Sequence, residues 1–340
     1  MKIIHAIRSD NFAGVERHVL RLAIAQRLRG DAVAVIGGNV DRMNGLLTDA
    51  DIRFIPATTT AEVMRALVQL RKWRPDVVNS HMAAAEAAAV IAGLTPGTAP
   101  IVATRHFAAH RGRRPALRPI LRLGTRRLAA QIAVSDFVAA HIDGPSTVVH
   151  SGVPVRPHSD VPRERTVLVV QRLEPEKLTD LTLSAFSRSG LAAEGWRLEL
   201  VGDGALRNDL QDNAVRLGIA GATTFLGHRS DVPDRMDAAS ILVAPTASEA
   251  LGLTVLEAMA GGLPVIASAS GGHLETVGSA DGAAMFPPGD VDAAARLLRE
   301  LAADETRRVA YGAALRAIQR ERFTLEAQAE ATDAVYRSVL

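Results

Sequence analysis

The chain has 340 residues, with 39 Lys and Arg against 37 Asp and Glu, and its 48% hydrophobic content is enough for sizeable cores. It has no cysteine, which excludes disulfides, thiolate metal sites and a cysteine nucleophile, and fits the cytoplasm. The net charge is only +2; the isoelectric point of 9.4 reflects how little titrates above neutrality in a chain with two Tyr and no Cys, so basicity is no argument for nucleic acid.

Short apolar runs alternate with helical patterns from the first residue onward. Strands are expected over 2–7, 32–36, 53–55, 77–79, 101–104, 132–134 and 148–149. Helical patterns fall at 16–29, 61–72, 83–92 and 117–128. Pro154, Pro157 and Pro162, with charged neighbours, mark a linker. A second strand series follows at 167–170, 198–201, 223–226, 241–244 and 265–267. After Asp290, placed as a helix N-cap, the chain reads as helix to its end. Two series of alternating strands and helices imply two doubly wound parallel sheets, with ligands at the carboxyl ends of the strands and a crevice between the two domains. The expected division is 1–157, 158–322 and a terminal helical segment 323–340. The first apolar run is too short for a leader, and no apolar stretch reaches membrane-spanning length.

The stretch from Pro245 to Pro264 carries the strongest functional pattern. Glu249 follows an apolar strand, Gly252 allows a turn, and an apolar helix opens near Leu253 and Thr254. Glu257 then lies about one helical turn in, beside the free backbone N–H groups of the helix start, where an anion can bind. Two carboxylates flanking a bound phosphate can grip a nucleotide sugar through its hydroxyls. Arg172 and Lys177 follow the strand that opens the second series, and a strand-end loop with two cations can hold a diphosphate. Gly202 and Gly204 read as a tight structural turn, because Arg207 stands where a dinucleotide fingerprint needs its third glycine.

The spacing of Glu249 and Glu257, with Gly252 and the segment 263–267, resembles the E-x7-E motif of the retaining glycosyltransferases of family 4. That resemblance implies a GT-B fold: an α/β chain of two Rossmann-like domains facing a central cleft. It implies transfer of a sugar from a nucleoside diphosphate sugar, UDP-linked by preference, to an acceptor hydroxyl with retention and without a metal or other cofactor. Arg172 and Lys177 would stabilise the leaving diphosphate; Gln171 and Leu178 stand where family members usually have glycine. Gly14 resembles the family's glycine loop at the first helix, and Gly227 and Arg229 lie in the turn that meets the nucleobase. His106, after the strand 101–104, matches the family's histidine at the donor sugar, where an imidazole could orient a hydroxyl. His81 reads as a satisfied structural histidine. A nucleotide-sugar 2-epimerase of the same fold and a non-catalytic binding protein are the alternatives; the register of the two glutamates is not needed by the first, and intact Arg172, Lys177 and both glutamates argue against the second.

Acceptors implied are an oligosaccharide, a natural product or a glycolipid, with antibiotic assembly of the avilamycin kind and lipopolysaccharide assembly as two homes. Residues 105–127 hold eight Arg and no acid, so the segment Arg111 to Arg127 could meet an anionic membrane surface and place the enzyme peripherally on the inner face. The D-x-D patterns at 49–51 and 290–292 follow no apolar strand, and no His or acid cluster has metal-ligand spacing, so no metal is expected.

Overall fold

In a computed structural model, the chain is described at all residues except 11, 95–96, 109–123, 125 and 158. The chain divides into two compact units, Met1–Gly152 with Leu325–Leu340, and Val153–Thr324.

The first unit runs β1 (Lys2–Ile7), α1 (Gly14–Leu28), β2 (Ala32–Ile36), α2 (Val40–Asp49), β3 (Arg53–Ile55), α3 (Thr60–Leu70), β4 (Val77–His81), α4 (Ala83–Ala92), β5 (Ile101–Arg105), β6 (Leu128–Ala133), α5 (Asp136–Ala140) and β7 (Thr147–Val148). Its sheet has the order β3-β2-β1-β4-β5-β6-β7 and is parallel throughout. The second unit runs β8 (Thr166–Val170), α6 (Thr179–Ser189), β9 (Arg197–Val201), α7 (Arg207–Arg216), β10 (Thr223–Gly227), α8 (Val232–Ala238), β11 (Ile241–Ala244), α9 (Leu253–Ala260), β12 (Val265–Ser268), β13 (Met285–Phe286), α10 (Val291–Ala303) and α11 (Glu305–Arg322). Its parallel sheet has the order β10-β9-β8-β11-β12-β13. The last helix, α12 (Leu325–Arg337), packs with the first unit.

The central strands are continuous buried runs because helices cover both faces of each sheet. In β1 the period-two alternation sends Ile4 and Ala6 to the face covered by α3 and α4. Ile3 packs on the other face with Val77, Val102, Ile132 and Tyr336 of α12. Ile7 joins Val15 and Val19 of α1. Tyr336 is fully buried and its hydroxyl accepts from Asn79 Nδ2 at 2.7 Å. In the second unit one continuous core links both faces of the sheet, from Phe186 to Leu298 and Phe323.

The strand β6 starts at Leu128, which corrects the helical pattern expected up to that residue; the rest of that pattern lies mostly outside the described residues. The two-residue edge strand β13 has no counterpart in the sequence reading, since two residues carry no periodicity. Asp290 does cap α10, its Oδ1 accepting from Ala293 N at 2.8 Å.

Both sheets reverse their strand order at one place, between β1 and β4 and between β8 and β11. A ligand crevice opens beyond the carboxyl ends of the strands at such a switch point. The loops that follow β8 and β11 carry Arg172, Lys177 and Glu249; those after β1 and β4 lead into α1 and α4.

Candidate active site

In the second unit, the loop after β8 is shaped by close backbone packing. Gly202, at φ +129°, lies so near that a Cβ there would sit 1.9 Å from the Gln171 carbonyl oxygen, and one at Gly204 would sit 2.4 Å from that of Leu173. Both glycines therefore admit the loop that carries Arg172. Leu173 N donates to the Asp203 carbonyl at 3.0 Å and fixes the register. The loop then makes a single 3-10 turn over Pro175–Lys177. Leu178 takes a left-handed conformation, φ 51° and ψ 41°, that glycine would adopt at lower cost. Gln171 braces the turn, its Nε2 donating to the Lys177 carbonyl at 3.0 Å and to Thr179 Oγ1 at 2.9 Å. The two positions where the family usually has glycine are thus occupied without loss of the turn.

Lys177 Nζ meets Glu249 Oε2 at 2.7 Å, with the side chains 19% and 25% exposed. Arg172 lies farther out and pairs with Glu176 at 2.7 Å on an exposed surface. Both cations expected at the diphosphate therefore have carboxylate partners. The Arg172–Glu176 pair is exposed and contributes little, so an anionic ligand can displace it cheaply.

The Glu249 loop is held from the other side by the turn after β12. Gly271 has φ +57°, and a Cβ there would sit 2.5 Å from the Glu249 carbonyl oxygen. Gly272 N donates to that same oxygen at 2.9 Å. His273 is buried next to the Lys177–Glu249 pair, and burial lowers its pKa despite the attraction of Glu249. Gly252, at φ +92°, ends the loop and opens α9, which no side chain caps. The N–H groups of Leu253 and Thr254 precede the first intrahelical bond, from Leu256 N to the Gly252 carbonyl at 3.0 Å. Glu257 is half-buried one turn further on. Gly227 ends β10 with φ +67°, and Arg229 beyond it is tied to Asp231 by two bonds of 2.7 and 2.8 Å.

In the first unit, Gly14 is the exposed first residue of α1, and Glu16 accepts from Ala13 N at 2.9 Å. His106 lies just beyond β5. Its Nε2 is 2.9 Å from His81 Nδ1, and His81 Nε2 is 3.1 Å from His5 Nδ1. His18 of α1 stands edge-on to His106, ring centroids 4.6 Å apart, and its Nδ1 meets Ser151 Oγ at 2.9 Å. Burial lowers the pKa of all four: His5 to about 4, His106 to about 3 with help from the Arg105 charge, and His18 and His81 well below 6.5. The cluster is therefore neutral near pH 7. His18, His81 and His106 offer nitrogens within 4.8 Å of one another, a group that could ligate a metal. Both nitrogens of His81 are engaged, one with His106 and one with His5, so ligation through His81 would break one of these contacts.

Sequence spacing finds no such group because its members come from α1, β4 and the end of β5. The signal that could have found it is polarity inside buried strands. His5, Asn79, His81 and Thr104 all interrupt runs that should be apolar in a covered sheet. His273, Gly271 and Gly272 were also missed, although a Gly-Gly pair separated by two residues from an apolar strand marks close backbone approach. The basic segment expected at a membrane lies outside the described residues but for Gly124, Arg126 and Arg127.

Two parallel Rossmann-like units with cations, paired acids and a bare helix start at the switch point define a GT-B glycosyltransferase architecture. Residues 12–156 match the family described as Glycosyltransferase Family 4, and residues 156–317 match Glycosyl transferases group 1. The chain belongs to this group of GT-B glycosyltransferases. It is 30% identical over 233 residues to the lipopolysaccharide core biosynthesis mannosyltransferase LpcC of Rhizobium leguminosarum, a match covering 63% of this chain and 66% of that protein. It is 30% identical over 164 residues to the mannosyltransferase LpsB of Rhizobium meliloti, covering 43% and 47%. The matches thus span about half to two thirds of these relatives. Among solved structures, HepE of Anabaena in complex with UDP and glucose superposes with a TM-score of 0.84 over 99% of this chain and 100% of that one, at 21% identity. The lipopolysaccharide outer core galactosyltransferase WaaB superposes at 0.74 over the full length of both chains, at 19% identity.

Proposed function

We propose that the protein is a retaining, metal-independent glycosyltransferase that takes its sugar from a UDP-linked donor. The observation that carries this reading is the Lys177–Glu249 pair at the switch point of the second unit, beside the uncapped start of α9. The diphosphate lies against Lys177, Arg172 and the N–H groups of Leu253 and Thr254, which supply the positive charge a leaving diphosphate needs. Glu257 accepts from the ribose hydroxyls and Glu249 from the sugar. The acceptor hydroxyl attacks the anomeric carbon on the face the diphosphate leaves, and its proton passes to a departing phosphate oxygen. Gly227 and Arg229 flank the base, Gly14 lies near the distal phosphate, and His106 meets a sugar hydroxyl.

Relatives named for lipopolysaccharide core and for phosphatidyl-myo-inositol support a polysaccharide or lipid-linked acceptor, the second of the two homes expected from sequence. A lipid-linked acceptor would also give the basic stretch 111–127 a role at an anionic membrane surface. The test is calorimetric titration with UDP, GDP and dTDP, followed by NMR of the anomeric configuration made from a labelled donor. UDP should bind most tightly and the product should keep the donor's configuration. Absence of binding by all three nucleotides, or an inverted product, refutes the reading.

A further inference from the structure

The buried imidazoles of His5, His18 and His81 and the half-buried one of His106 are not four independent groups. Three of them belong to a chain that runs from the carboxylate of Asp333 on α12 to His106 beyond β5. Gln26 on α1 links the carboxylate to the first imidazole: its Nε2 donates to Asp333 Oδ1 at 3.0 Å, and its Oε1 lies 2.8 Å from His5 Nε2. Asp333 also holds Arg29 through its other oxygen at 3.4 Å, which keeps a cation at the carboxylate end.

Each contact in the chain admits one proton, and the first decides the rest. The carboxylate takes the amide nitrogen of Gln26, so its carbonyl oxygen faces His5. A carbonyl oxygen only accepts, so His5 carries its proton on Nε2 and leaves Nδ1 bare. His81 must then donate from Nε2 across the 3.1 Å contact, leaving its own Nδ1 bare. His106 must in turn donate from Nε2 across the 2.9 Å contact. Every donor points the same way, toward Asp333, so the bonds polarise one another and enrich the far nitrogen in electron density. That nitrogen, His106 Nδ1, has no hydrogen-bond partner among the described residues. The period of the strands explains how the chain is laid down. His5, Asn79 and His81, and Thr104 project to the face that α1 and α12 cover, and the parallel register pairs His5 with Asn79 and His81 with Thr104.

We propose that Asp333, Gln26, His5 and His81 are positioning residues that fix His106 as the Nε2–H tautomer, so that its bare Nδ1 accepts a hydrogen bond from a sugar hydroxyl. The identity of the hydroxyl rests on the glycosyltransferase reading; the tautomer does not. An Nδ1–H imidazole at this place would offer a donor where the hydroxyl oxygen is needed free, and would orient the sugar differently.

The experiment is a long-range proton–nitrogen correlation NMR spectrum of histidine-labelled protein at neutral pH, with the His106 signals assigned by their loss in His106→Asn. The wild-type protein should show His106 protonated at Nε2 alone. Gln26→Met keeps the side-chain length but removes both hydrogen bonds, and His106 should then divide between its two tautomers. His5→Leu breaks the chain one link later and should do the same, which covers the case in which one variant does not fold. UDP affinity should stay within about twofold of wild type in both variants, because the nucleotide is assigned to the other unit. Protonation of His106 at Nδ1 in the wild-type protein overturns the proposal, whatever the variants do. So does an unchanged Nε2–H signal in a folded variant. Either result leaves the nucleotide titrations, and with them the glycosyltransferase reading, untouched.

Discussion

Replacing Lys177 by Ala separates the roles of the two charges that meet at 2.7 Å in the second unit. The ammonium is largely buried and would be the nearest cation to the diphosphate. Its loss removes a charge-assisted hydrogen bond, worth about 1.5–3 kcal/mol, or roughly 10- to 150-fold in UDP affinity. It also leaves Glu249, only a quarter exposed, without its partner and facing an incoming anion. Glu249→Ala has the opposite consequence: it frees Lys177 for the diphosphate, so UDP should bind as well as before or several-fold more tightly, while sugar transfer falls. The double variant should lose less UDP affinity than Lys177→Ala alone, because the repulsion from Glu249 is gone as well. A double-mutant cycle by titration calorimetry should therefore show a coupling of about 0.5–3 kcal/mol, the range for residues in direct contact. Equal losses of UDP affinity in the two single variants, or additive effects in the double, would refute the assignment of Lys177 to the diphosphate and of Glu249 to the sugar.

Glu257→Ala should weaken free UDP by about tenfold, as the loss of a carboxylate acceptor to the ribose, and a titration showing no change counts against that role. Gly202→Ala places a methyl group 1.9 Å from the Gln171 carbonyl and must displace the loop that carries Arg172; UDP affinity should fall more than thermal stability, and a variant with wild-type UDP affinity contradicts the packing argument. Transfer should persist in excess EDTA, and its abolition with restoration by Mg²⁺ or Mn²⁺ would assign the leaving-group charge to a metal. The first unit should be the more acid-labile. Its histidines titrate near 6.5 when unfolded but, for His5, only at about 4 when folded, so the unfolded chain binds more protons between these values and stability falls as pH drops through that window. The raised carboxyls of Asp333 and Glu86 act in the opposite sense, in the lower, carboxylate range. Trp73 reports on the first unit and Trp196 on the second, so fluorescence of Trp196→Phe and Trp73→Phe should show separate acid transitions with the Trp73 signal changing first; coincident transitions refute this.

What the sequence makes legible follows from where its periodicity is unbroken. The runs at 32–36 and 241–244 become strands with the expected bounds, and α9 begins at Leu253, because each is a continuous apolar segment with a clear turn signal at its end; the run at 2–7 keeps its bounds although His5 interrupts it. The short pattern from Glu249 to Glu257 is local, so its geometry survives translation into structure. Partnerships are not local. Lys177 and Glu249 are 72 residues apart, and His81, the last residue of β4, and His106, just past the end of the neighbouring β5, are 25 apart, so their contacts follow from strand order and not from spacing. Sequence reading isolates His106 as a candidate and assigns His81 to structure. The fold makes the second the support of the first.

The same contrast explains why two departures from the family pattern are tolerated. A left-handed residue costs an ordinary side chain roughly 1–2 kcal/mol. Leu178 accepts that cost, but it also packs part of its side chain against the core of the second unit, which a glycine could not do. Gln171 gives the turn two hydrogen bonds that a glycine could not supply. The loop shape that presents Lys177 is therefore specified by side-chain bracing here, where glycine would specify it by backbone freedom. A motif that records only residue types misses this exchange, because side-chain bracing and backbone freedom are two different ways to hold the same kind of turn.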